Sequence, residues 1–357
     1  MSTITIKQIA QESGVSIATV SRVLNGTAPV AESTRARVQA VMARHNYTPN
    51  ALARGLACHC TMTLGVILPD IANPYFASMF REMETAARSA GYSVLLCNTG
   101  FRAAGPVELA HRELAAFQTM LDKAVDGVIV AGGQADLMDV GRNYRQALSR
   151  LAAAVPTVVI GDPIPGAKCL FIQRERGLGV LAAVNYLVSL GHRRIAFVGG
   201  EEGVGITEAR LAAYADALSA LSLPYDRALV APSDYYAPDG YEAVHWLLGR
   251  GNPFTALLAM NDSVALGAYR ALADAGLAVP GDVSVISCDQ FFDAGFFVPR
   301  LTSIDQHNSR FGRFVINSLL AVMGGSQACK PLGYRPELVV RESCAPVIQT
   351  QRKDVPE

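Results

Sequence analysis

Residues 5–25 read TIKQIAQESGVSIATVSRVLN, and two apolar stripes inside this stretch decide how the rest of the chain is organised. Ile6, Ile9 and Ala10 recur at helical spacing, and Val20, Val23 and Leu24 do so again beyond Gly14. Two short helices whose stripes meet across a tight turn are therefore predicted. Thr5 and Gln8 form a capping-box pair at the start of the first, and the Ser16 hydroxyl suits the N-cap of the second. The second helix keeps another face free, with Ala18, Ser21, Arg22 and Asn25 in line and Ile17 and Thr19 beside them. Small, hydroxyl, amide and guanidinium groups on one narrow face suit base edges in a major groove, where Arg bonds guanine and Ile or Ala touches a thymine methyl. The same spacing also fits an ordinary surface helical hairpin.

A third helix is expected over residues 32–46, with Val38, Val41, Met42 and His45 on one stripe. Ala31 stands where a hydroxyl cap would be usual, so this helix starts weakly. The string continues through Thr34, Arg35 and NYTPNALARGL (residues 46–56). Far along the chain come GHRRIAFVGG, NDSVALGAYRALADAGLAVPGDVSVIS and PRLTSI. Together with GVSIATVSRVLN these motifs, in this order, closely resemble the lactose and galactose repressor family of bacterial transcription regulators over nearly the whole chain. The resemblance implies a DNA-binding headpiece, a hinge and a two-lobed effector-binding core. Its contacts to DNA would come from Thr5, Ser16, Ile17, Ala18, Thr19, Ser21, Arg22, Asn25, Thr34 and Tyr47, and from Asn50, Ala53 and Leu56 in the hinge. Residues 51–56 are too short to hold a helix alone. In the family this segment becomes helical when two copies pack in the minor groove, with a leucine at the place of Leu56 wedged between base pairs. The alternative for Leu56 is packing against the first strand of the core.

At 357 residues, with a hydrophobic share of 50%, the chain has material for two or three domains. Its net charge is zero but unevenly placed: residues 1–60 carry six Lys/Arg against two acids, net +4, leaving 25 against 29, net −4, in the remainder. A basic head on an acidic body fits a polyanion-binding module joined to a ligand-binding one. No export signal and no run of 18 apolar residues is found, so a cytoplasmic protein with no membrane segment is expected. Seven scattered Cys argue for reduced thiols rather than disulfides. Cys58, His59 and Cys60 could bind a metal or be oxidised, yet lack the spacing of a zinc site, and no metal or cofactor is expected.

From residue 63 the pattern becomes short apolar runs between amphipathic stretches, at 64–68, 93–97, 127–131, 157–160, 169–172, 195–198, 256–259 and 283–287. This alternation predicts parallel sheets covered by helices on both faces, in two sets of about four strands. The resemblance supplies the rest, so the expected fold class is α/β with an all-α N-terminal domain: a three-helix helix-turn-helix headpiece, a hinge helix, and a two-lobed core of parallel sheets like the periplasmic binding proteins, in which the chain crosses between lobes three times. The headpiece is placed at 1–48, hinge and linker at 49–62, the core at 63–345 and a polar tail at 346–357. Within the core the first lobe takes about 63–161 and 293–325, and the second about 166–288 and 332–345. The lobe crossings fall near 161–165, 289–292 and 325–332. The tail lacks a leucine heptad, which argues against a coiled-coil tetramer.

In such sheets ligands bind beyond the carboxyl ends of the strands. That rule selects Asp70, Asn73, Tyr75, Phe76, Gln134 and Asp162 from the first lobe, and Asn261 and Asp289 from the second, as effector-binding residues; Arg210 is added because the resemblance puts it in the family's arginine position, and Phe291 because it follows the Asp289 motif. Carboxylates, amides, an Arg and aromatic rings suit a hydroxyl-rich ligand. The resemblance adds that family residues at the places of Arg210, Asn261 and Asp289 touch the effector. Each has another reading: Asn261 as a helix cap, Tyr75 and Phe76 as core, Arg210 as an ion-pair partner. Two departures stand out. The chain has Cys288 and Gln290 around Asp289 where the family usually reads Gly-Phe-Asp-Asp, and Gln173 where it usually has Asp. With Phe291, Phe292, Phe296 and Phe297 following, a less polar sugar derivative or a nucleoside is also suited.

No dinucleotide, phosphate-loop, nucleophile-elbow or zinc-protease motif is present. The expected protein is a homodimeric regulator, a repressor rather than an activator, and not an enzyme. It would bind palindromic operator DNA under the control of a small-molecule effector, a sugar or sugar derivative. The alternative is a sugar- or nucleotide-utilising enzyme with a doubly wound fold.

Overall fold

The computed structural model describes residues 4–25, 29–45, 47, 60–100, 106–290, 294–326, 333 and 335–347. Two compact units emerge, residues 1–63 with 124–126, and the remainder. Asn50, Ala53, Leu56, Cys58, His59 and Phe291 lie outside the described residues, as does the tail beyond 347.

The first unit contains α1 (Ile6–Ser13), α2 (Ile17–Asn25) and α3 (Glu32–Arg44). The Thr5 hydroxyl accepts from the Gln8 N–H while the Gln8 side chain accepts from the Thr5 N–H, completing the capping box, and Gly14 ends α1 in the left-handed region at φ 64°. Ser16 Oγ accepts from Thr19 N at 3.1 Å. Ile9, Ala10, Val20, Val38 and Val41 form the core, with Ile6, Val23, Leu24 and Met42 packed around it. His45 is not part of that stripe: it is exposed, and its Nε2 lies 2.8 Å from Glu12, tying the end of α3 to α1. As its Ala31 start implies, α3 has no side-chain cap.

The second unit holds two sheets. The first runs β2 (Ser93–Asn98), β1 (Thr63–Leu68), β3 (Gly127–Ala131), β4 (Thr157–Ile160), β5 (Leu170–Ile172). The second runs β11 (Glu337–Val339), β10 (Thr302–Asp305), β9 (Ser284–Ser287), β8 (Ala256–Ala259), β6 (Ile195–Val198), β7 (Val230–Ala231). β11 pairs antiparallel with β10, so the second sheet is not wholly parallel. The intervening helices are α4 (Pro74–Ser89), α5 (Pro106–Asp122), α6 (Arg142–Ala154), α7 (Leu178–Ser189), α8 (Gly205–Ala220), α9 (Ala237–Gly249), α10 (Asp262–Asp274) and α11 (Asn308–Met323).

Two of the expected crossings are displaced. β5 adds to β4 in parallel register, Val158 opposite Leu170 and Ile160 opposite Ile172, so it finishes the first sheet instead of opening the second. The Gly and Pro residues of 161–166 serve a connection within the first lobe, where Gly161 N donates to Ile172 O and Ile164 is buried. The chain crosses after β5, between Ile172 and α7. Likewise β10 pairs with β9, so the second crossing lies at Gln306–His307 rather than at 289–292. α11 then packs on the first lobe, burying Phe311, Val315, Ile316 and Leu319 against Leu64, Met79, Met83 and Ile129. Gly312 permits that approach, since a Cβ there would come within 2.6 Å of Met79 O. β11 belongs to the second sheet, and most of the third expected crossing, 325–332, lies outside the described residues.

Candidate functional site

The exposed face of α2 carries Ile17, Ala18 and Arg22, with Ile17 47% exposed although it is a large apolar residue. Ser21 and Thr19 are half-buried. Ser16 and Thr19 are also joined by a 2.9 Å hydroxyl contact, so both hydroxyls shape the start of α2. Thr34 is half-buried at the start of α3, and Tyr47 packs against the headpiece core, which makes its first role structural. The Asn25 side chain lies outside the described residues.

The second site is the cleft between the lobes. At its centre Arg210, on α8, is 3% exposed and grips Asp289 in a two-armed pair, Nη1 to Oδ2 at 2.7 Å and Nη2 to Oδ1 at 2.8 Å. Nη1 also donates to Met260 O at 2.6 Å. Burial opposes the guanidinium charge, but the adjacent Asp289 carboxylate outweighs it and holds the Arg210 pKa above its ordinary value. Asp289 is fixed beyond β9 because Ser287 Oγ donates to its carbonyl at 2.7 Å. The Gln290 departure has a local reason: its Oε1 accepts from Ser303 Oγ at 2.9 Å and Arg341 Nη2 at 3.0 Å. Asn261 caps α10, accepting from Val264 N at 2.8 Å, and donates to Tyr235 O at 3.0 Å, so it lines the cleft while doing structural work.

From the first lobe, Asp70, Asn73, Tyr75 and Phe76 all line the cleft. Asn73 caps α4 by accepting from Tyr75 N at 3.0 Å, and the Tyr75 and Phe76 rings meet edge-on at 4.9 Å. Asp70 accepts a short hydrogen bond from Tyr236 Oη of the second lobe. Met138 N also donates to Gly203 O at 3.0 Å beside an isolated bridge between Leu137 and Val204, so the lobes touch at more than one place.

Gln134 and Asp162 are not among the lining residues. Gln134 sits on a single 3₁₀ turn, Gly133–Asp136, and its N–H donates to Glu113 at 3.0 Å. The turn brings Asp136, two residues later, into the cleft instead. Asp162 accepts from Gln173 Nε2 at 2.8 Å and from Arg176 Nη1 at 3.1 Å. Gln173 therefore spends its amide on a neighbouring acid. Phe291 lies outside the described residues.

Sequence reasoning missed Asp136, Arg174, Arg176, Tyr235 and Tyr236. Arg174 lies in the first crossing, donates to Gln306 O at 2.7 Å and Asn308 Oδ1 at 2.8 Å in the second, and stacks over Phe311 at 4.4 Å. It therefore staples two crossings together. Inspecting the residues just past β5 would have found both arginines. Among the described residues, no group of three His, Cys, Asp or Glu is placed to hold a metal ion, and no helix is long and apolar enough to cross a membrane.

Comparison with known proteins bears on both sites. Residues 5–50 match the family described as bacterial regulatory proteins, lacI family, and residues 184–344 match the periplasmic binding protein-like domain. The HTH-type transcriptional repressor PurR of Haemophilus influenzae (strain PittEE) is 32% identical over 350 residues, covering 96% of this chain and 99% of the relative. The Lac repressor dimer bound to operator and the anti-inducer ONPF superposes with a TM-score of 0.83 at 27% identity, covering 96% of this chain and 100% of that one. A complex of the transcriptional regulator CelR with cellobiose gives 0.68 at 28% identity, covering 95% and 99%.

Proposed function

Since the chain belongs to the lacI family of bacterial regulatory proteins, we propose that it is a transcriptional repressor that binds operator DNA as a homodimer under the control of a small molecule held between its lobes. The observation that carries this reading is the pairing of two features in one chain. A capped helix-turn-helix presents Ile17, Ala18 and Arg22 outward, and a two-lobed cleft has a buried Arg210–Asp289 pair at its centre. Operator recognition falls to α2, with Ala18, Ser21, Arg22 and Asn25 toward bases, and to the hinge residues Asn50, Ala53 and Leu56 in the minor groove. Effector recognition falls to Asp70, Asn73, Tyr75 and Phe76 from the first lobe and to the Arg210–Asp289 pair, Asn261 and Tyr235 from the second. A chain of this kind works in the cytoplasm, where its DNA is.

Linkage ties the two sites: an effector that weakens operator binding is weakened by operator to the same degree. Each headpiece covers one half-site, so a dimer requires a palindrome. Gel-shift titration on the DNA upstream of its own gene tests this. The full inverted repeat should bind tightly, with affinity falling steeply as salt rises, and an isolated half-site should bind far more weakly. Equal binding to half-site and full site contradicts the dimer reading.

A further inference from the structure

We propose that Asp136 is the specificity-determining residue of the first lobe: it accepts a hydrogen bond from a hydroxyl or N–H of an uncharged effector and refuses a carboxylate or phosphate at that position. The inference rests on the reading of the cleft as the effector site.

Asp136 is held rigidly where it stands. The turn that carries it begins with Gly132 and Gly133, at φ 72° and 64°, a backbone region that favours glycine. Beneath it the Glu113 carboxylate, 3% exposed, accepts from Gln134 N through both oxygens, at 3.0 and 3.3 Å. A Cβ on Gly133 would collide with that carboxylate. Beyond the turn, Leu137 is bridged to Val204. The Asp136 side chain therefore meets a ligand without reorganising.

Its bonding is incomplete. Oδ1 receives a single long contact, 3.4 Å from Arg176 Nη2, and Arg176 is shared with Asp162, which it approaches more closely at 3.1 Å. Oδ2 receives no hydrogen bond from any described residue. Burial pushes the Asp136 pKa up to about 6, against the pull of Arg176 and with a further push from Asp162. A carboxylate that burial destabilises in this way is stabilised by a ligand donor and repelled by a ligand anion. The other two arginines of the cleft do not offset this. Arg210 is closed by Asp289, and Arg174 gives its Nη groups to the crossing segments. The cleft that Asp136 lines opens to solvent and has a volume of about 140 Å³.

Thermal-shift measurements on the full chain, with aldohexoses, aldopentoses, N-acetylhexosamines and purine and pyrimidine bases and nucleosides, test the assignment. Each uncharged sugar is paired with its uronate or phosphate, and each nucleoside with its monophosphate. At least one uncharged compound should raise Tm while its charged counterpart does not. Asp136→Asn should weaken that compound by about tenfold or more, as loss of a charged acceptor does. In the wild type, affinity should rise with pH through about 6 as the carboxylate forms, and in Asp136→Asn that rise should be lost. Arg176, Asp162, Tyr235, Tyr144 and Glu113 face the carboxylate; Glu113, whose own pKa is pushed up to about 7, is controlled for by repeating the comparison in Glu113→Gln. Asp136→Glu, which keeps the charge, should retain the pH dependence and serves if the Asn variant does not fold. A charged compound binding as well as its uncharged partner, or no uncharged compound binding, overturns the proposal. Binding to upstream DNA, measured on the same preparation, tests the regulator reading separately: a DNA-binding chain with a charged effector sinks the Asp136 assignment alone.

Discussion

Replacing Asp289 with alanine would strand a guanidinium in the centre of the second lobe. Arg210 is 3% exposed and makes two of its three strong hydrogen bonds to that carboxylate. Its Nε already has no partner, so no spare acceptor stands ready to take over. Removing one member of a buried ion pair typically costs about 3–5 kcal/mol, most of it from the charge left behind. Asp289→Ala is therefore expected to destabilise the second lobe by about that amount, and Asp289→Asn by less, since an amide oxygen still accepts from one arm. The effect is structural before it is functional, and a lost response to effector in Asp289→Ala would not by itself mark a ligand contact. Trp246, the only tryptophan of the chain, lies on α9 of the second lobe, so its fluorescence in urea follows the relevant transition. The paired variant Arg210→Met with Asp289→Ala removes the stranded charge and should recover at least half of the loss, giving a coupling that a double-mutant cycle measures directly. An Asp289→Ala midpoint within about 1 kcal/mol of wild type would refute the reasoning, because a buried unpaired charge cannot be that cheap.

Glu113 makes the first lobe sensitive to pH. Burial pushes its pKa up to about 7, so the folded state holds the proton more tightly than the unfolded chain, and stability is greatest at low pH and falls as pH rises through about 4.5 to 7. Glu113→Gln keeps an acceptor for Gln134 N and should remove that slope, gaining about 1–3 kcal/mol at pH 8 and little at pH 5 in chemical denaturation; an unchanged slope would dismiss Glu113 as its source. Phe296, Val298 and Val340 are 83%, 90% and 51% exposed, and Phe296 and Val340 border one surface hollow of the second lobe. If the second copy covers them, Phe296→Asp should shift sedimentation toward monomer at micromolar concentration, and an unperturbed dimer would place the interface elsewhere. In the hinge, Leu56→Ala should weaken operator binding and reduce DNA bending while leaving the Tm of the free protein unchanged; a lowered Tm would indicate packing against the core.

Local physics was the legible part of this molecule. The Thr5–Gln8 capping box, the Ser16 cap, the weak Ala31 start and the positions of most strands follow from spacing and side-chain chemistry, and each has its counterpart in the structure. Sheet membership was not legible, because a run such as Leu170–Ile172 announces a strand but not its partner. β5 and β10 joined the sheets opposite to those expected because pairing is decided by distant contacts with β4 and β9. The cleft was half legible for a related reason. Residues just after strands whose apolar runs are plain in the sequence, Asp70, Asn261 and Asp289, were found. Tyr235 and Tyr236 follow β7, only two residues long and too short for any periodicity, and Asp136 arrives by way of a 3₁₀ turn that carries Gln134 aside.

The central claim is that α2 reads bases, and Arg22 tests it most directly. Wild type and Arg22→Ala are titrated at one salt concentration onto the upstream inverted repeat and onto a scrambled duplex of the same length. A base contact predicts a loss of about 1–3 kcal/mol on the operator and much less on scrambled DNA, so that the specificity ratio itself falls. Equal losses on both duplexes would show that Arg22 meets only phosphate, and no loss on either would contradict the placement of this helix in the groove.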